Sequence, residues 1–218
     1  MHIPDGFLDP WVAGLFWLAS GAVVGLAVRR ARGELGDERT PLLGVVAAGI
    51  FAAQLLNWPI PGGTSAHFVG GAFAGVLLGP WLGVLAMTAV VAIQALVFGD
   101  GGVVALGANL FAMAVVDVLV GYALFRLFRG VHETGAAFVA GWLAVTASAL
   151  AVGAGVGVSS AFAYEVGVTL PVMVVSHGVL GLVEGAITAA VYGYVADARP
   201  DLVLGRSAGG ALAPEVDA

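Results

Sequence analysis

The second residue of the chain is a histidine, and its position matters more than its type. A free α-amine on Met1, the amide nitrogen of residue 2 and Nδ1 of His2 can close a five- and a six-membered chelate ring on one metal ion. These nitrogens lie nearly in a plane, and a fourth completes the tetragonal set that Cu(II) and Ni(II) prefer and low-spin Co(II) accepts. His67 can be that fourth donor, since it ends the turn-rich run Pro59-Ile60-Pro61-Gly62-Gly63-Thr64-Ser65-Ala66-His67. The chain has four histidines and no cysteine, so any metal must be held by nitrogen or oxygen. By residue type alone a plainer reading stands beside this one, with His2 a solvated terminus and His67 an ordinary interfacial histidine.

The elements that must position these groups read as an all-α integral membrane protein. Of 218 residues, 60% are hydrophobic and 10% are charged, where a soluble domain has roughly a quarter charged. Mean hydropathy is +1.02. Apolar runs at 11–28, 41–58, 68–79, 81–98, 104–125, within 136–158 and within 170–196 predict seven transmembrane helices. The third is short against the about 20 residues a crossing needs, so it is expected to start below the surface, with the preceding loop dipping inward. A re-entrant pair made from the third and fourth runs is the alternative, and arginine placement argues against it. With seven crossings, the connections after the first, third and fifth runs and the C-terminus share one side, and all eight basic residues, every one an arginine, fall on it. The positive-inside rule makes that side cytoplasmic and puts the N-terminus outside. No basic stretch followed by a small-residue cleavage site opens the chain, so Met1 is expected to be the mature start. Residues 1–204 are expected to form one polytopic domain in the cell membrane, carrying a metal-binding segment 1–8 and an outer loop 59–67. The tail 205–218 is expected to be loose.

That topology gathers four polar clusters on the outer side: the N-terminus, the loop ending at His67, the turn around Asp100, and the stretch 159–169 with Glu165. Gln54, Asn57, Gln94, Asn109, Asp117, His177 and Glu184 fall within or at the ends of spans, where each should face protein. Asn57, Gln94, Asp100 and Asn109 are candidates for orienting His67 or the N-terminal segment, with interhelical hydrogen bonding as the equal alternative. His177 and Glu184, two turns apart on one helix, read as a polar seam in a packing face. Spacings such as Gly21/Gly25, Gly71/Gly75/Gly79 and Gly181/Gly185 suit close helix packing in lipid. The net charge of −6 argues against a nucleic-acid partner, which needs clustered basic residues.

Several motifs together resemble the CbiM/NikM family, the substrate-binding membrane components of energy-coupling-factor (ECF) importers for cobalt and nickel. They are Met1-His2-Ile3-Pro4-Asp5-Gly6-Phe7-Leu8, Gly62-Gly63-Thr64-Ser65-Ala66-His67, the run Gln94 to Gly102 with Ala105-Leu106-Gly107-Ala108-Asn109, and Glu184-Gly185-Ala186-Ile187-Thr188. The resemblance covers residues 1 to about 196, and its first block is specific because it is anchored at residue 1. It implies that divalent cobalt or nickel is the transported substrate, held by the Met1 amine, the amide and ring nitrogens of His2, and His67. It also implies an ECF coupling membrane subunit, separate ATPase subunits and often a small accessory membrane protein. Ala66 departs from the glycine common at that place, which stiffens the loop.

No phosphate-binding Gly-rich loop followed by Lys-Ser/Thr exists, so the chain is not expected to hydrolyse ATP, nor to be an enzyme by itself. An intramembrane metalloenzyme would need a general base beside an open metal position, and the chain lacks His-Glu-x-x-His. A metal-independent channel would need a polar pore, whereas these polar residues scatter over several spans.

Overall fold

A computed structural model describes residues 1–36 and 39–203; Asp37, Glu38, Arg206 and the tail expected over 205–218 lie outside the described residues. Helix α1 (Pro10–Ala31) opens on a proline, whose missing N–H would have had no partner in a first turn, and ends on Arg29 and Arg30. Helix α2 (Arg39–Gln54) stops before the second apolar run does, because Asn57–Pro59 (β1) turns back to pair antiparallel with Ser65–His67 (β2). Helix α3 (Gly71–Leu78) has 8 residues and ends at Gly79, whose φ of 87° favours glycine. Pro80 then starts α4 (Pro80–Ile93), which runs on through a π-helical turn over Gln94–Phe98. Helices α5 (Leu106–Leu110) and α6 (Asp117–Phe128) join through a π-helical stretch, Phe111–Val116, into one rod. Helices α7 (Glu133–Gly157) and α8 (Val166–Ala198) complete the bundle.

Five of these rods, Pro10–Ala31, Pro80–Phe98, Leu106–Phe128, Glu133–Gly157 and Val166–Ala198, are long and apolar enough to cross a membrane. Helix α2, at 16 residues, is shorter, and α3 reaches only about 12 Å at 1.5 Å per residue. The chain nevertheless changes ends between α2 and α4. Helix α4 begins where α1 finishes, with the Arg30 guanidinium 5.9 Å from the Trp81 ring, and ends beside His2, which Gln94 contacts. Residues 55–79 therefore carry the chain from one end of the bundle to the other.

Helix α3 sits in the middle, with seven of its eight residues buried. Its closeness to α6 is set by glycine. A Cβ on Gly71 would lie 2.6 Å from the Met113 carbonyl oxygen, and one on Gly75 would lie 2.7 Å from that of Val118. Helices α7 and α8 approach similarly, since a Cβ on Gly185 would sit 2.6 Å from the Phe138 carbonyl oxygen. Gly21 and Gly25 differ, as a Cβ on either meets nothing within 4 Å. Among the described residues that pair packs against no helix. Outward positions such as Leu15, Leu18, Val175 and Val179 are exposed, as a lipid-facing surface requires.

Candidate metal centre

The N-terminal segment threads back into the bundle instead of trailing from it. Met1 and Ile3 are buried, and His2 is 4% exposed. Three sets of hydrogen bonds hold it there. Asn109 grips the backbone of residue 3 from both sides, its Oδ1 accepting from Ile3 N–H at 2.8 Å and its Nδ2 donating to the Ile3 carbonyl at 3.1 Å. Asp5 accepts from the N–H groups of Val103, Val104 and Ala105 at 3.0, 2.8 and 3.2 Å, which lead into α5. Asp9 does the same for Ser160 and Ala161 at the start of the loop before α8. The four outer clusters thus meet at one end of the bundle.

Because side chains alternate along a strand, Ser65 and His67 share a face of β2. That face receives the terminus. The Met1 amine donates to Ser65 Oγ at 3.0 Å, and the His2 and His67 rings stack with centroids 4.6 Å apart. Each ring has one nitrogen already engaged. His2 Nε2 lies 3.1 Å from Gln94 Oε1, an acceptor, so the proton sits on Nε2 and Nδ1 keeps a bare lone pair. Asp100 Oδ1 is 3.4 Å from that Nδ1. His67 Nδ1 donates to the Phe68 carbonyl at 2.7 Å, which leaves its buried Nε2 bare and without a hydrogen-bond partner. A metal-binding histidine is held in this way, with the second nitrogen fixed by a carbonyl or amide.

Burial also sets the charge. It pulls the Met1 amine well below its ordinary pKa, with Asp100 and Glu184 partly opposing. It lowers His2 to about 4, assisted by the Met1 amine and opposed by Asp100 and Gln94. His67 is lowered by burial first, then by the amine and His2. Burial thus favours the unprotonated, lone-pair form of all three nitrogens. Above them an open cavity of about 750 Å³, lined by His2, Asp5, Asn57, Thr64, Asp100 and Gly101, gives access from the surface. Gly101 must be glycine, since its φ is +93° and a Cβ would press on Asn109 and His2.

Gln94, Asp100 and Asn109 thus reach His2 or Ile3 directly. Asn57 pairs with His67 through the strand, while the residue itself is exposed. Sequence reasoning missed Ser65, Asp5 and Asp9 as individual actors. The two-residue spacing of Ser65 and His67 was the available signal for the first. Among the described residues no three His, Cys, Asp or Glu side chains gather as a metal cluster; this donor set draws on main-chain nitrogen.

A family profile described as "Cobalt uptake substrate-specific transmembrane region" matches residues 2–202. The chain belongs to this CbiM family. It is 74% identical over 216 residues, 99% of each chain, to a Haloquadratum walsbyi protein described as a metal transport protein. It is 35% identical to the cobalt transport protein CbiM of Sorangium cellulosum, covering 93% of this chain and 94% of that one. A crystal structure of a transition metal transporter superposes with a TM-score of 0.88 at 33% identity, covering 91% of this chain and 93% of the other. This CbiM-family chain is accordingly a multi-pass transmembrane component of cobalt or nickel uptake.

Proposed function

We propose that the chain is the substrate-binding subunit of an ECF importer that captures Co(II) or Ni(II) through four nitrogens: the Met1 amine, the His2 amide, His2 Nδ1 and His67 Nε2. One observation carries the reading. A buried terminal amine and two buried imidazoles, each with its other nitrogen tied to an amide or carbonyl, face one another at the floor of an open cavity. Metal binding displaces the His2 amide proton and uses lone pairs that burial has already freed. The fused-ring spacing exists only at a chain terminus, so the segment must be held as Asn109, Asp5 and Asp9 hold it.

The chain is read as crossing the membrane seven times, the third time over residues 68–78. That crossing is short and partly irregular, which a membrane tolerates only where protein covers the backbone. Arg29, Arg30, Arg39, Arg126, Arg129 and Arg199 lie at the helix ends remote from His2, which supports a cytoplasmic placement for that end and an outer one for the metal site. ATP hydrolysis falls to separate subunits, coupled through a further membrane protein.

The test is titration of purified protein with Co(II) and Ni(II), with the terminus free, acetylated, or carrying one alanine inserted between Met1 and His2. Acetylation removes the amine's lone pair, and insertion destroys the ring spacing. Both are expected to abolish tight binding in a folded bundle. High affinity retained after acetylation would sink the terminal chelate.

A further inference from the structure

The block Glu184 to Thr188 supplies none of the four nitrogens, yet its first residue reaches the segment that follows His67. Glu184 is on α8 and is 1% exposed. Its Oε2 accepts the Val69 N–H at 3.0 Å and its Oε1 accepts the Gly70 N–H at 2.7 Å. Both oxygens act as acceptors, as those of an ionised carboxylate do, and hydrogen bonds of this charge-assisted kind are stronger than neutral ones. Gly70 has a φ of 79°, and a Cβ there would lie 2.8 Å from the Phe68 ring and 2.9 Å from Ile50, so the turn that presents two successive N–H groups to one carboxylate needs glycine.

The Val69 N–H and the Phe68 carbonyl belong to one peptide unit. In a trans peptide they point in opposite directions across a resonant plane. On the far side of that plane the Phe68 carbonyl accepts His67 Nδ1–H at 2.7 Å. Glu184, the Phe68–Val69 peptide and the His67 ring therefore form one continuous hydrogen-bonded chain, and its open end is the buried Nε2 of His67. Two neighbours lack this connection. Asp117 accepts the next N–H groups, of Gly71 and Ala72, but the carbonyl across the Gly70–Gly71 peptide accepts from Ala74 N–H and not from a histidine. His177 Nδ1 donates to the Met173 carbonyl at 2.9 Å, in a peptide unit inside α8 that bonds no carboxylate among the described residues.

We propose that Glu184 strengthens the metal donor His67 through the Phe68–Val69 peptide. This role rests on the four-nitrogen reading above. The carboxylate draws on the Val69 amide proton, so more electron density reaches the Phe68 oxygen through the peptide resonance. That oxygen pulls harder on the Nδ1 proton, the ring gains imidazolate character, and Nε2 becomes a better donor. Each bond in such a chain strengthens the next by roughly 10–30%. Glu184 touches no metal-ligating atom, so it is a positioning residue, acting across one peptide as a carboxylate bonded directly to a metal-bound histidine acts without one.

The probe is Ni(II), titrated into the full chain in detergent, with affinity and the visible ligand-field band as readouts. Glu184→Gln keeps the shape and removes the charge. Its band is expected at longer wavelength, because a weaker donor gives a smaller splitting, with affinity about tenfold lower. Asp117→Asn removes the same charge from the neighbouring N–H groups, and is expected to lower the unfolding temperature while leaving the band in place. An unmoved band and unchanged affinity in folded Glu184→Gln overturn the proposal, and so does a band shift of equal size in Asp117→Asn. Complete loss of the band in folded Glu184→Gln overturns it too, since Glu184 would then only brace the loop. If Glu184→Gln does not fold, the wild type decides. In metal-free protein the deuterium fractionation factor at His67 Nδ1 is expected below that at His177 Nδ1, and equal values overturn the proposal. Failure of the four-nitrogen reading is separately visible, as wild-type protein with a free terminus that binds no Ni(II).

Discussion

At the scale of single residues the site is a problem of tautomers and protons. Gln94, Phe68 and Met173 each engage one ring nitrogen of a buried histidine, so the free nitrogen is chosen before any metal arrives. The same burial makes the empty site sensitive to acid. His2 has an ordinary value of 6.5 and is lowered to about 4 when docked, so between these values the undocked segment binds more protons than the docked one. The His2 contribution to docking is then fully present above pH 6.5 and weakens as pH falls through the window toward 4. Histidine ring resonances followed by NMR in metal-free protein are expected to show His2 and His67 titrating below the ordinary 6.5. Midpoints near 6.5 for both would contradict the docked terminus.

At the scale of elements, the short helix α3 and the irregular residues before it are held by side chains from other helices. Glu184 accepts from Val69 and Gly70 N–H at 3.0 and 2.7 Å, and Asp117 accepts from Gly71 and Ala72 at 2.8 and 3.3 Å. Gln54 donates to the Val69 carbonyl. Two carboxylates thus serve the N–H groups that a helix start leaves open, and they sit at the positive end of its dipole. Gln54, Asp117 and Glu184, expected to face protein, do so by bonding the backbone that leads into α3. Asp117→Ala is expected to lower stability by about 1–3 kcal/mol by orphaning buried N–H groups, read as a lower unfolding temperature in detergent. Gly71→Ala should also destabilise, because its Cβ would meet the Met113 carbonyl oxygen, whereas Gly178→Ala, in open space, should not. Equal unfolding temperatures for the two glycine variants would refute this account of α3 packing.

For the whole molecule, the decisive property is which end faces out. The end with the proposed metal site gathers residues 1–9, 64–67, 99–105 and 159–161, and the described arginines lie at the other. Single cysteines at Pro61 and Tyr164, both exposed at the metal end, should react with an impermeant reagent added to sealed cells, while one at the exposed Gly33 should not. Gly101 is a poor labelling position, since its side chain would displace His2. Labelling at position 33 alone would invert the orientation and place His67 on the cytoplasmic side, against the proposed capture from outside.

The sequence by itself determined the membrane class, because hydropathy is additive over a run of residues, and it pointed to the proposed terminal chelate, because that spacing is covalent and local to residues 1 and 2. It also singled out His67 by its place at the end of a shaped loop. Helix limits were less legible. The second and third apolar runs, 41–58 and 68–79, are continuous in composition, yet α2 stops at Gln54 with β1 taking the end of the second run, and an 8-residue helix fills only part of the third. That outcome depends on acceptors supplied by Asp117 and Glu184, which are 45 or more positions away in the chain. Gly21/Gly25 and Gly181/Gly185 have the same spacing, and among the described residues only the second pair packs against a helix. A glycine pattern states how closely a neighbour can come but not whether one is there. The direction of each bare imidazole nitrogen was likewise left to tertiary structure, since a ring's free lone pair is fixed only by the carbonyl or amide that occupies its other side.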